Sequence, residues 1–246
     1  MFDFWIIVAA FFAAIIDTSL GMCYGTILAP ALIICGYSPE IAVPAVLLSQ
    51  LVVDVAGGIS HAKVKNFTRK DVSAALLVAI PATLFVSLGA MLNIKLPAVL
   101  TKAYIGVLVL GLGMMMLKGI KFRKTAKGLA FISAIAGFNK GFMGGGFGPV
   151  VVSGQIIFNH DVRPSIAIGD IAEIPVCIVG LLVFAILGKL SFDPIFLIVC
   201  IPALIGSLIG PHLTLQLSKT VYSEKIIGSV ILVLGAITIL KLLHVI

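Results

Sequence analysis

Charge is what this sequence has least of. Only 11% of its 246 residues are Asp, Glu, Lys or Arg, against about 25% in soluble domains. With 61% of the chain apolar, a soluble all-α core is excluded, because too few polar residues remain to cover one. No polar stretch between the apolar segments is long enough to form a soluble domain. Histidine and cysteine number four each, scattered and without a CxxC pair. That argues against a metal centre, and with no soluble domain it argues against an enzyme. No cofactor motif and no nucleic-acid motif is present. Cys23, Cys35, Cys177 and Cys200 read as small buried hydrophobes, with a substrate-facing thiol left open at Cys23. Residues 1–5 carry Asp3 and no Lys or Arg. This is not the basic start of a secretory signal, so the first segment is expected to stay in the protein.

What is present is a series of apolar runs, and about 20 such residues span a bilayer as a helix. The runs cover residues 2–35, 39–60, 71–92, 97–117, 129–158, 164–187, 192–217 and 225–245. Two loops, 61–70 and 118–127, are strongly basic, which places them on the cytoplasmic side. The net charge of +7 mostly reflects such loops. The expected class is an all-α polytopic membrane protein forming one transmembrane domain over residues 1–246.

Two runs are too long for one span and are interrupted. The first break is Asp17-Thr-Ser-Leu-Gly-Met-Cys-Tyr-Gly25. The second is Gly137-Phe-Asn-Lys-Gly-Phe-Met-Gly-Gly-Gly-Phe-Gly-Pro149. Glycine costs about 1 kcal/mol against alanine in a helix interior, so these stretches are expected to depart from the helix. Non-helical backbone at membrane depth survives only where protein or a water-filled cavity covers it.

The halves match each other. Ala14-Ile15, Gly21, Gly25 and Pro44 fall on Ala134-Ile135, Gly141, Gly145 and Pro164. Further on, Ile80-Pro-Ala82 falls on Ile201-Pro-Ala203, and Gly106 and Gly113 fall on Gly228 and Gly235. The expectation is two tandem repeats, residues 1–120 and 128–246, of about four membrane segments each. Both repeats open with a glycine-broken element. Such repeats place a substrate site near the midplane between the halves, at the interrupted segments. The repeats are parallel if each broken element crosses once and inverted if each is a re-entrant hairpin.

Ser19, Tyr24 and Thr26 in the first break, and Asn139, Lys140 and the backbone of Gly144, Gly145 and Gly146 in the second, are the candidate substrate-binding groups. A half-helix starting after a break offers free N–H groups and a positive dipole end, an anion site. The alternatives are that the glycines serve close helix packing and that Lys140 snorkels to an interface. Three further residues are ionisable groups within membrane segments, which point to function by default. Asp54, four residues after Gln50, and Asp170 with Glu173, three apart on one helix face, are candidates for gating or proton coupling. Pairing with Lys140 or Arg163 is the structural alternative for the carboxylates.

The first break with its continuation to Pro30, followed by Val43-Pro-Ala-Val-Leu-Leu-Ser49, resembles the first repeat of the sulfite exporter TauE/SafE family. The glycine-rich second break resembles its second. The resemblance extends over the whole chain, although Cys23-Tyr-Gly25 stands where many members carry a run of glycines. It implies a secondary carrier, built by duplication, that moves small sulfur-containing anions such as sulfite or organosulfonates outward across a prokaryotic inner membrane. The partners expected are a small anionic substrate and membrane lipid, with a homodimer left open. A passive anion channel is the alternative, and a membrane-assembly subunit a more distant one.

Overall fold

The structure is a computed structural model that describes residues 2–93, 98–188, 190, 193–220 and 222–243. The turns expected after Asn93 and Gly188 fall largely outside these residues. Among the described residues there is no strand. These residues form ten α-helices and one short 3-10 turn. They are α1 (Phe2–Leu20), α2 (Tyr24–Ile34), α3 (Pro39–Lys63), α4 (Val72–Asn93), α5 (Ala98–Leu117), α6 (Ala126–Met143), α7 (Phe147–Ile157), α8 (Val162–Ile186), α9 (Ile195–Leu217) and α10 (Ser223–Leu243). Helices dominate because lipid cannot satisfy backbone N–H and C=O groups, and the helix satisfies its own.

Among the described residues, five helices are long and apolar enough to cross a membrane, within α3, α4, α8, α9 and α10. α2 and α7 have 11 residues each and reach about 16 Å, half of a ~30 Å hydrocarbon core. Both pack back against the helix that precedes them. Large apolar side chains face outward, among them Leu76, Ile80, Leu84 and Leu88 of α4 and Leu197, Ile201 and Leu208 of α9. The interior instead buries Asp17, Gln50, Asp54, His61, Asn139, Lys140, Asp170 and Glu173. The protein is an integral membrane protein with lipid as its outer solvent and a polar centre.

Small residues set the helix contacts. A Cβ on Gly137 would overlap Ala82, and one on Gly141 would overlap Val86, so α6 lies directly on α4. α9 meets α1 in the same way, with Gly206 at Phe11 and Gly210 at Thr18. In both pairs the residue numbers rise together, so the helices are parallel. α3 and α8 are antiparallel: Gly57 abuts Asp170, while Leu47 abuts Gly180. α5 and α10 are also antiparallel, with Gly106 at Ile239 and Gly113 at Leu232. Close backbone approach through small residues supplies the packing that hydrophobicity cannot supply within lipid.

These contacts correct the expected extent of the second break. Gly137 and Gly141 lie inside α6, where they make room for α4, and only residues 144–146 leave the helix. Asn139 and Lys140 are therefore helical. The first break narrows likewise to residues 21–23, so Asp17 and Ser19 belong to the last turn of α1.

Candidate functional site

The two breaks meet. A Cβ on Gly25 would lie 2.6 Å from Gly144 O, and one on Gly145 would lie 3.1 Å from the carbonyl carbon of Gly25. Glycine permits this backbone-on-backbone contact, so close packing across the breaks is realised at these two positions. Gly144 and Gly146 have φ of 71° and 82°, a region that favours glycine. Gly144 ends α6 as a left-handed cap, its N–H donating to Lys140 O at 2.8 Å. Gly146 is the N-cap of α7. Cys23, with φ 102°, holds an equivalent strained position without being glycine.

A small cavity lies where the breaks converge. Its wall combines the starts of α2 (Tyr24, Gly25, Thr26) and α7 (Phe147, Gly148, Pro149) with Gly145, Gly146, Cys23, Asp17, Gln50, Lys140 and Glu173. Two helix N-termini thus open onto one space, each with unpaired N–H groups and the positive end of a helix dipole. At α2 one of those groups is already taken, since Tyr24 N donates to Asp17 Oδ1 at 3.0 Å.

Lys140 is the cation of the site and is only 1% exposed. A buried ammonium needs partners. Its Nζ stands 2.6 Å from Glu173 Oε1 and donates to Gln50 Oε1 at 3.4 Å. The snorkelling alternative therefore does not describe Lys140. Gln50 is the hub. Its Nε2 donates to Asp17 Oδ2 and to Asp54 Oδ1, both at 2.8 Å. Cys177 Sγ donates to the other Asp54 oxygen at 3.8 Å. Ligand atoms of Asp54, Glu173 and Cys177 lie within 4.8 Å of one another. Glu173 is engaged by Lys140, and Asp54 by Gln50 and Cys177, so internal donors already satisfy the set as a metal would.

Among the predicted binding groups, Tyr24, Thr26, Lys140, Gly145 and Gly146 line the cavity, while Ser19, Asn139 and Gly144 do not. Ser19 Oγ donates to Ile16 O at 3.0 Å. Asn139 is fully buried, and neither atom of its amide has a hydrogen-bond partner among the described residues. Of the carboxylates, Glu173 lines the cavity, Asp54 lies behind Gln50, and Asp170 instead faces His61, with Oδ2 3.2 Å from Nε2. Asp17 and Gln50 are cavity residues not among the predicted contacts. Their partners are remote in sequence, although a glutamine and an aspartate on one helix face in a membrane segment were visible signs.

The family model for the sulfite exporter TauE/SafE matches residues 6–238. The chain is also 34% identical over 147 residues to a protein of Bacillus subtilis (strain 168) named "Probable membrane transporter protein YtnM". That match covers 55% of this chain and 48% of the relative, so the chain spans about half the length of the curated relative it matches. No solved structure matches the chain. With a family model covering nearly all of it, the chain belongs to the sulfite exporter TauE/SafE family.

Proposed function

We propose that the protein is a secondary transporter, working as an exporter, for small sulfur-containing anions such as sulfite or organosulfonates in a prokaryotic inner membrane. The observation that carries this reading is Lys140: a buried ammonium beside a cavity onto which two helix N-termini open. All three features favour negative charge. The family is one of membrane transporters, and the relative's printed name supports transport.

In this reading the anionic group docks against Lys140 and the amides at the start of α7, with Tyr24 and Thr26 opposite. Glu173 is the built-in competitor, because it occupies the ammonium that the substrate needs. Four carboxyl groups, Asp17, Asp54, Asp170 and Glu173, share this interior with the ammonium of Lys140. The charge of the site thus follows the number of protons it holds, which makes a proton the natural coupling ion. Alternating access rocks one half against the other around the fixed site.

The halves are proposed to be an inverted duplication. α1 to α5 have 19, 11, 25, 22 and 20 residues and α6 to α10 have 18, 11, 25, 23 and 21. The corresponding pairs α3–α8 and α5–α10 run antiparallel, as an axis in the membrane plane requires.

The test is sulfite flux into proteoliposomes. Wild-type flux should saturate with sulfite and show exchange. Lys140→Ala should abolish it, with normal expression and folding. Flux that is unchanged in the variant sinks the assigned role, and flux that never saturates turns the reading toward a channel.

A further inference from the structure

Beyond Asp54, the C-terminal end of α3 carries a second buried polar cluster. His61 is fully buried and Asn66 is 2% exposed. Arg163, near the start of α8, donates from Nε to Asn66 Oδ1 at 2.6 Å and from Nη2 to Val64 O at 2.8 Å. Arginine can only donate, so the oxygen of the Asn66 amide must face it. The other end of that amide, Nδ2, lies 2.8 Å from Pro211 O and 2.9 Å from His61 Nδ1. A ring nitrogen that accepts carries no proton, which places the His61 proton on Nε2. That nitrogen donates to Thr18 O at 3.0 Å, while Asp170 Oδ2 stands 3.2 Å away and has no hydrogen-bond partner among the described residues. Each orientation follows from the one residue whose role cannot change.

The cluster ties together four elements that must separate if this end of the site is to open. Thr18 belongs to α1 just before its break, His61 to α3, Arg163 and Asp170 to α8, and Pro211 to α9. Asp170 lies one turn before Glu173, which holds Lys140. Both basic loops lie at the α3 C-terminal end, so the cluster stands between the site and the side that those loops face.

We propose that Arg163, Asn66 and His61 are positioning residues of the transport cycle, which set the His61 Nε2–H on the Thr18 carbonyl beside Asp170 and latch this end of the site shut. The proposal rests on the transport reading above. A proton arriving from water at His61 Nδ1 has to displace the Asn66 N–H. If the amide turns over to accept it, Arg163 loses its acceptor. Opening is thereby coupled to protonation of the ring, with Asn66 and Arg163 facing it on one side and Asp170 and the Thr18 carbonyl on the other.

The ring nitrogens can be read directly by 15N resonance of histidine-labelled protein in detergent, with the His61 signals identified by their loss in His61→Gln. The expected result is an Nε2–H ring in the wild type and a proton moved onto Nδ1 in Asn66→Asp, whose carboxylate accepts where the amide donated. An Nδ1–H ring in the wild type, or unchanged ring signals in Asn66→Asp, overturns the proposal. In proteoliposomes, His61→Gln, which keeps an N–H for the Thr18 carbonyl, should retain more sulfite flux than His61→Leu, which should lose roughly tenfold. The pH profile of His61→Gln should flatten, and a profile identical to wild type overturns the coupling. The ring measurement does not depend on transport. A wild type that carries no sulfite but shows the expected tautomers would defeat the functional reading and leave the relay standing.

Discussion

Glu173 is the residue through which the site can switch. Its carboxylate sits 2.6 Å from Lys140 Nζ in a setting where both side chains are buried, and a charge pair in such surroundings interacts far more strongly than in water. An arriving anion must displace it. Glu173→Gln removes the competing charge yet keeps an oxygen for Lys140 to donate to. Sulfite should then bind roughly tenfold or more tightly, with less dependence on pH, as calorimetric titration at several pH values would show. Weaker binding would mean that Glu173 holds the substrate and does not compete with it. Asp17 acts differently. Its two oxygens accept from Tyr24 N at the start of α2 and from Gln50, so it joins the break of one half to the hub of the site.

At the scale of elements, the glycines divide into two kinds, and sequence alone could not sort them. Gly144 and Gly146 hold the left-handed turns that end α6 and begin α7. Gly137 and Gly141 are ordinary helix positions made necessary by α4, a partner some fifty residues earlier in the chain. A glycine-dense stretch signals both uses alike, which is why the break looked longer than it is. The apolar runs were legible, because run length is a local property, whereas glycine clustering marked only the region of each break and not its extent. The Lys140–Glu173 pair could be foreseen only as one of two pairings, and His61 only as one of four scattered histidines. Both depend on the packing of α8 against α6 and α3, which no local pattern encodes. A direct contrast follows. Gly141→Ala forces a Cβ into Val86 O and should destabilise by about 1–3 kcal/mol, seen as a lower melting temperature in detergent. Gly111, with nothing within 4 Å of its Cβ position, should accept alanine without loss and gain up to about 1 kcal/mol of helix propensity. Equal melting of the two variants would remove the packing role from α6.

For the whole molecule, helix direction carries the argument about topology. α1 runs parallel to α9 and α6 runs parallel to α4, while α3 opposes α8 and α5 opposes α10. If the halves are inverted as proposed, the two broken elements enter the bilayer from opposite faces and the breaks meet between them. The basic loops then share the cytoplasmic face, as the positive-inside tendency requires, and the turn between α2 and α3 lies on the other. This can be checked with single cysteines in a background lacking the four native ones. Ser38, in the α2–α3 turn, and Asn159, in the corresponding turn between α7 and α8, are both exposed and suited to a membrane-impermeant maleimide. In right-side-out vesicles Ser38→Cys should label at once, and Asn159→Cys only after the vesicles are inverted or lysed. If both label from the same face, the two halves are not inverted with respect to each other, and an alternating-access mechanism built on their exchange would have to be given up.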